Sequence, residues 1–228
     1  MTEVRTVAVP LVDGSALQLT VAEPDGSVRG GIVVLHEARG VTDVVRGLLH
    51  GLAEDGWLAV APHLYHDVGT DRVGADDTDE WVRQQVDRLD GEQVLTDTDT
   101  AFGWLADHGV APDRMGVVGV DLGGSVALLV AASRTLGAAV TVGGLVTEAL
   151  PGGLPTPLDV APGLTCPWLG IYGQSNPAIE QLREAVAASH VATDVVVYPG
   201  SGARLEADPA AAADAWRRTL NWLDAHLR

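Results

Sequence analysis

Lysine is absent from this chain. All 14 basic residues are arginine, and they stand against 31 acidic residues, so the formal net charge is −17. Without lysine no Schiff base can form with a carbonyl substrate, and no lysine can act as a general base. The large negative charge also argues against nucleic acid and anionic membrane surfaces as partners. Composition alone therefore removes amine chemistry and polyanion binding from the possible functions.

Cysteine is nearly absent too. It occurs once, as Cys166, so no disulfide can form within the chain. Its place before Pro167, at the start of an apolar strand, is typical of a buried and unreactive thiol. No run approaches the roughly 18 apolar residues that a membrane span requires, and residues 1–5 lack the apolar region of a signal peptide. We therefore expect a cytoplasmic protein with no membrane partner.

The 228 residues suffice for one large domain with a full core, and no linker or internal repeat divides them. Residues 1–228 are therefore expected to form one domain. From about residue 30 onward, short apolar runs alternate with helical stretches. This alternation predicts an α/β fold with a mostly parallel sheet of about seven to eight strands and helices on both faces. A functional site is then expected at the carboxyl ends of the strands.

Hydrophobic periodicity and turn residues place the individual elements. Strands are predicted at residues 6–10, 16–21, 31–36, 57–61, 115–118, 138–142, 168–173 and 194–198. Helices are predicted at residues 42–55, 80–89, 93–108, 125–132, 176–188 and 209–227. Residues 66–79 are expected to form either a lid or a solvated loop, and residues 150–167 an irregular segment. Trp57 and Trp168, which begin strands, are expected in the core.

The most informative motif is Gly-Val-Asp-Leu-Gly-Gly at residues 119–124. A short apolar strand precedes it and an apolar helix follows it, which is the strand–turn–helix context of a nucleophile elbow. Glycines are needed there because the turn is tight and the helix approaches the strand closely. The central position usually carries a hydroxyl or a thiol. Here it carries the carboxylate of Asp121.

Five segments, in the order in which the family has them, resemble the dienelactone hydrolase family of α/β-hydrolases. They are Val-Leu-His-Glu-Ala-Arg-Gly-Val at 34–41, Ala-Pro-His-Leu-Tyr-His at 61–66, the elbow, Gly-Gln-Ser-Asn-Pro at 173–177 and Tyr-Pro-Gly-Ser-Gly at 198–202. Together they span nearly the whole chain. The resemblance implies an α/β-hydrolase fold, a family activity on carboxylic esters or lactones, and no cofactor.

The family's catalytic triad consists of Cys or Ser, Asp and His. By position, the resemblance assigns these roles to Asp121, Asn176 and Ala203, so all three positions depart from the pattern. We therefore expect a non-catalytic protein that binds a small-molecule ligand or a protein partner, or that acts as a structural subunit. The alternative is a hydrolase of small esters or lactones with a rearranged site that uses Asp121 and Glu37.

Two roles are open for Asp121. Its carboxylate could cap the following helix and pair with Arg39, which would fill the site, because helix N-termini favour negative charge. It could instead attack carbon, as in the haloalkane dehalogenases and epoxide hydrolases. Those enzymes need a histidine-activated water for the second step, and Ala203 provides no imidazole. The capping role is the preferred hypothesis.

Several side chains are expected to line a pocket at Asp121: His36, Glu37, Arg39, His63 and Leu122. The carboxylates of Glu37 and Asp121 would repel each other unless a cation lies between them. Arg39 is the first candidate for that cation, and a metal bound with the help of histidine is the second. No metal-ligand spacing is evident in the sequence, so neither a metal nor another cofactor is expected. The sequence leaves open the oligomeric state and whether the crevice is open or filled.

Overall fold

A computed structural model describes residues 3–65, 78–174, 176–199 and 205–227. Their strands form one sheet of eight strands in the order β1-β2-β4-β3-β5-β6-β7-β8. The strands β1 to β8 are, in chain order, Val4–Pro10, Ala16–Ala22, Gly30–Leu35, Trp57–Pro62, Met115–Val120, Ala138–Val142, Trp168–Tyr172 and Thr193–Val197. β1 pairs with β2 and β2 with β4 in antiparallel fashion, and the pairs from β4 to β8 are parallel. The predicted α/β fold with a mostly parallel sheet is confirmed.

Helices cover both faces of this sheet. The helices α1 to α7 are Asp43–Glu54, Asp79–Val86, Gly91–Asp107, Leu122–Ser133, Pro157–Val160, Pro177–Ala187 and Pro209–His226. Two clusters of buried apolar residues result, one beneath α3, α4 and α6 and the other beneath α1 and α7. The strands β3 and β4 are buried along their whole length, which explains why their sequences are continuous apolar runs rather than alternating ones.

The core predictions hold for the residues that the sequence singled out. Trp57 and Trp168 have no exposed surface, and the indole of Trp168 donates a hydrogen bond to the hydroxyl of Thr141 at 3.0 Å. Cys166 is buried, and burial raises the pKa of its thiol to about 12, so the thiolate is disfavoured. Among the described residues, no helix has the length and apolar character that crossing a bilayer demands. The cytoplasmic location stays a prediction.

Most predicted boundaries shift by one to three residues, and three segments near the site need comment. The elbow helix α4 begins at Leu122 rather than at residue 125, because the glycines at 123 and 124 lie inside its first turn. Residues 150–167, predicted irregular, contain the short helix α5, which Thr156 caps by accepting a hydrogen bond from the amide of Asp159. Residues 66–77, most of the predicted loop, lie outside the described residues, while residue 79 already begins α2.

The contact of α4 with β5 and β3 is the closest approach of helix and sheet around the elbow. A methyl group at Gly119 would overlap the carbonyl group of Gly123 and lie 2.7 Å from the β-carbon of Ala127. A methyl group at Gly123 would lie 2.6 Å from the carbonyl oxygen of His36. Apart from the β-carbon of Ala127, these are backbone atoms, so no flexible side chain can move aside to make room.

We expect Gly119→Ala to destabilise the protein by about 3 kcal/mol or more, because the added methyl group overlaps backbone atoms. Gly103→Ala is the matched control: it lies on the exposed side of α3 with no atom within 4 Å of the added carbon. That substitution should stabilise the protein by about 0.5–1 kcal/mol. Urea denaturation of both variants is the measurement, and equal effects would contradict the close-contact explanation.

Candidate functional site

The backbone at Asp121 has the conformation of an elbow. With φ 52° and ψ −114°, it is the one non-glycine residue with positive φ in the part of the chain that the structure describes. The amide of Asp121 donates to the carbonyl of Val142 at 2.8 Å, and its carbonyl accepts from the amide of Ser125 at 3.1 Å. Such backbone strain typically costs about 1–3 kcal/mol and concentrates at functional sites.

The expected capping role of Asp121 is wrong. Its side chain makes no capping hydrogen bond to the amides of α4, and the residue is exposed. The physical reason lies in the backbone: capping residues usually have an extended conformation, which turns the side chain towards the second and third amides of the helix. At positive φ the β-carbon of Asp121 is turned elsewhere. The site is therefore not filled by this contact.

Arg39, the expected partner of Asp121, forms an ion pair with Asp79 at the start of α2, with Nη2 and Oδ1 2.9 Å apart. The side chain of Arg39 is 23% exposed, whereas that of Asp79 is 85% exposed. This pair joins the loop after β3 to α2. A pairing of Arg39 with Asp121 stays a prediction.

An open crevice of about 280 Å³ lies beside Asp121, on the side of the sheet where β6 and β7 end. Its described lining residues come from the elbow, from the segments after β6 and β7, and from the start of α6: Asp121, Gly143, Gly144, Leu145, Val146, Glu148, Tyr172, Gly173, Gln174, Asn176, Ala178 and Ile179. The crevice thus brings together Asp121 and Asn176, two of the three positions that the resemblance assigns to the triad. The third position, Ala203, lies outside the described residues.

The side chain of Asn176 has a structural role. Its Oδ1 accepts a hydrogen bond from the amide of Ile179 at 3.1 Å and so caps α6. Pro177 follows as the first helical residue, which is a favourable place for proline. An asparagine amide has one oxygen acceptor and an NH₂ donor. The oxygen is directed to the start of the helix, and the side chain offers the crevice no negative charge.

Two consecutive glycines after β6 shape the opposite wall. Gly143 and Gly144 have φ values of 71° and 103°, a region that side chains other than glycine rarely adopt. A methyl group at Gly144 would lie 2.6 Å from the carbonyl oxygen of Asp121. The hydroxyl of Ser125 accepts from the amide of Leu145 at 2.8 Å and holds this segment against α4. The segment therefore approaches the elbow closely because it carries no side chains there.

His36 was expected in the pocket, but its ring is fully buried and does not line the crevice beside Asp121. Nε2 accepts from the amide of Leu64 at 3.2 Å, so Nδ1 carries the proton and donates to the carbonyl of Glu37 at 2.7 Å. Burial, with a smaller contribution from His63, lowers the pKa of His36 to about 4. His36 is thus a neutral side chain that joins the end of β3 to the end of β4.

The other expected pocket residues lie on the β3 and β4 side of the elbow or in the core, not in the lining of this crevice. His63 is buried, with Nε2 2.8 Å from the hydroxyl of Thr20. Glu37 accepts from the hydroxyl of Thr42 at 3.4 Å, and burial together with the charge of Glu37 raises the pKa of Tyr65. Leu122 packs into the core beneath α4. None of these side chains is among the described residues that line this crevice, and one pocket that contains them all stays a prediction.

Sequence reasoning missed the crevice residues that follow β6, and also Tyr172 at the end of β7. Tyr172 is buried at the end of β7, and burial raises its pKa. Glu148 is exposed at the rim. The pair of glycines directly after the apolar run at 138–142 was an available signal, since it marks a turn at a strand end. Among the described residues, no group of three or more His, Cys, Asp or Glu side chains could hold a metal ion.

Replacing Asp121 by glycine should stabilise the protein by about 1 kcal/mol, because relief of the backbone strain exceeds the extra chain entropy of glycine. The control is Asp107→Gly at the end of α3, an exposed helical position. That change should destabilise by about 0.5–1 kcal/mol. Thermal and urea unfolding at pH 7 give both values, and a destabilised Asp121→Gly protein would show that the carboxylate itself stabilises the fold.

The lowered pKa of His36 predicts a dependence of stability on pH. Since the folded pKa of about 4 lies below the unfolded value of about 6.5, the neutral ring stabilises fully above pH 6.5, and this stability is lost as pH falls towards 4. The loss amounts to roughly 3 kcal/mol. The free energy of unfolding of His36→Asn, which keeps a donor near Nδ1, should depend less on pH between 4 and 6.5. His190→Asn, at an exposed position, should keep the dependence of the wild type. An unchanged slope in His36→Asn would refute the assignment.

Comparison with known proteins agrees with this geometry. Residues 17–227 match the model of the family described as the dienelactone hydrolase family. A protein from Yersinia pestis, provisionally named a carboxymethylenebutenolidase, is 33% identical over 93% of this chain and 85% of its own length. A protein of the same provisional name from Escherichia coli is 33% identical over 84% of this chain and 75% of its own length.

Solved structures are similar as well. The crystal structure of a provisionally named dienelactone hydrolase from Klebsiella pneumoniae superposes with a TM-score of 0.88 at 29% identity, covering 98% of this chain and 99% of the other. A dienelactone hydrolase from Anabaena variabilis superposes with a TM-score of 0.73 at 22% identity, over 100% of this chain and 99% of its own, which supports the fold. With its elbow, its sheet order and these matches, the chain belongs to the dienelactone hydrolase family.

Proposed function

We propose that this protein binds a small neutral molecule in the crevice beside Asp121 and does not hydrolyse it through a nucleophile–histidine–acid triad. The observation that carries the proposal is the hydrogen bond from the amide of Ile179 to Oδ1 of Asn176. This bond makes the residue at the acid position a neutral helix cap, while the crevice itself stays open.

The missing negative charge matters because of what the acid does in a triad. It accepts a hydrogen bond from the imidazole, holds the correct tautomer and stabilises the imidazolium that forms. Asn176 is neutral, and its NH₂ group can only donate. The aligned histidine position is Ala203 in the sequence. Asp121 therefore has no aligned base to activate a water, and a covalent intermediate on it would not turn over by the family's route.

The crevice favours a neutral ligand over an anionic one. Of its described lining residues, Asp121 and Glu148 are acidic and none is basic. An anionic ligand would therefore be repelled, most strongly at low ionic strength. The volume of about 280 Å³ is at the lower end of small-molecule sites, which suits a single-ring compound. Apolar contacts are available from Leu145, Val146 and Ile179.

The second candidate is a hydrolase of small esters or lactones with a rearranged site in which Asp121 and Glu37 take part. The exposure of Asp121 favours it, and so do the names of the relatives, which are those of hydrolases. The two candidates differ in one measurable property. Only the rearranged hydrolase should turn over an ester or lactone at a rate that depends on the carboxylates of Asp121 and Glu37.

Hydrolysis of p-nitrophenyl acetate and of a neutral butenolide separates the candidates. The wild-type protein should hydrolyse both no faster than the Asp121→Ala variant, because neither protein holds the elements of a triad. Glu54→Gln, at the opposite end of the sheet, serves as the control for a general change in charge. A wild-type rate at least tenfold above Asp121→Ala and also lost in Glu37→Gln would establish the rearranged hydrolase.

Binding is tested with 2(5H)-furanone, a neutral butenolide, and with a carboxylated butenolide, by NMR titration at low salt. The neutral ring should shift the resonances of Gly143, Gly144 and Tyr172, and the carboxylated one should bind more weakly. Glu148→Gln should improve binding of the carboxylated compound by about two- to fivefold, since it removes one negative charge from the rim. Glu54→Gln should leave it unchanged. No shift with either compound, or preference for the anion, would overturn the proposed ligand class.

A further inference from the structure

We propose that a second cavity, between α1 and α7, binds a small apolar molecule or group, namely an aromatic or alicyclic ring of about six carbon atoms. This α1–α7 cavity has a volume of about 130 Å³. It lies on the opposite face of the sheet from α4, against β5 and β6. Its described lining residues are Val44, Leu48, Val118, Val120, Val142, Leu205, Ala212, Ala215, Trp216 and Thr219.

The walls of the cavity offer a water molecule almost nothing to bind. Nine of its ten described lining residues are apolar, and the tenth, Thr219, donates its hydroxyl to the carbonyl of Ala215 at 3.0 Å within α7. A water molecule that enters this open cavity therefore makes almost no hydrogen bonds to the protein. An apolar ligand would instead gain contact area without displacing hydrogen-bonded water.

The sequence of α7 explains why the space exists. Its first half, residues 209–215, reads Pro-Ala-Ala-Ala-Ala-Asp-Ala. The side chains of Ala212 and Ala215 are too short to fill the space above Val118 and Val142. On the other side, the indole of Trp216 packs against Gly51 of α1, where an added methyl group would lie 3.0 Å from the ring. The indole therefore keeps the two helices apart, and the cavity does not close.

The cavity is reachable from solvent. Val44, on its rim, has 60% of its surface exposed, whereas Val118 and Ala215 at its base are buried. An apolar group can therefore enter past the exposed rim at Val44. Inside, it is surrounded by apolar side chains and loses its contact with water. By size, an apolar cavity of about 150 Å³ holds benzene or xenon, so a volume of about 130 Å³ fits one six-membered ring.

The cavity and the crevice share strand ends but not side chains. Val120 lines the cavity and Asp121, the next residue, lines the crevice; likewise Val142 lines the cavity and Gly143 the crevice. Successive residues at a strand end point to opposite faces. The two sites are therefore separate, and the apolar site does not rest on the function proposed for Asp121.

Benzene is the probe. Added up to near its solubility limit, it should raise the melting temperature of the wild-type protein by about 2–4 °C in a saturable manner. Pyrimidine, a polar ring of the same size, should produce no rise. Asp121→Ala should show the same benzene effect as the wild type. If Asp121→Ala abolished the effect, benzene would be binding in the crevice, and the proposal would be overturned whatever the fate of the proposed function.

Two alanine variants locate the site. Ala212→Leu places a longer side chain in the cavity and should reduce the benzene shift at least fivefold, while Ala213→Leu, exposed on the same helix, should keep it. A full shift in Ala212→Leu would overturn the proposal. Should Ala212→Leu fail to fold, wild-type crystals under xenon pressure give the answer: density between α1 and α7 supports the site, and its absence there refutes it.

Discussion

The backbone contact between α4 and the ends of β3 and β5 constrains everything else around the site. The amide of Gly123 donates to the carbonyl of His36 at 3.1 Å, and no side chain fits at Gly119 or Gly123. Because the helix begins so close to the strand, the connecting residue must turn within one position. Asp121 therefore takes a positive φ, and its side chain is directed to the crevice rather than to the amides of its own helix.

The elbow also separates two groups of residues, one at the ends of β3 and β4 and the other after β6 and β7. On the β3 and β4 side of the elbow, His36, His63 and Tyr65 are buried and hydrogen-bonded, so they support the strand ends. On the β6 and β7 side, Gly143 and Gly144 leave space, and a crevice forms. The two sides differ because three rings pack at the ends of β3 and β4, whereas two glycines without side chains follow β6.

Capping hydrogen bonds decide how the polar residues at this edge are used. Asn176 gives its oxygen to α6, and Asp208 accepts from two amides at the start of α7. Tyr198, from the fifth family-like segment, donates to Asp214 of α7 at 2.6 Å, and this bond, with those from Arg218 and Arg217, holds the pKa of Asp214 well below its usual range. Asn176 and Tyr198, both in family-like motifs, thus form hydrogen bonds with α6 and α7.

The sequence by itself determined the fold class, the order of the elements and the place of the elbow. These rest on local signals: continuous apolar runs for buried strands, glycines at a tight turn and proline or aspartate at helix starts. It missed the start of α4, because Gly123 and Gly124 oppose a helix locally and are accepted only for the close contact with β3 and β5.

The sequence pointed to Asp121 and Asn176, and the tertiary structure decided which other residues join them. The directions of Asp121 and Arg39, the burial of His36 and the crevice at Gly143 and Glu148 depend on how strand ends distant in the sequence meet at one edge of the sheet. The α1–α7 cavity likewise depends on the distance between two helices that Trp216 keeps apart. Local sequence patterns carry no information about such distances, because they result from packing between residues far apart in the chain.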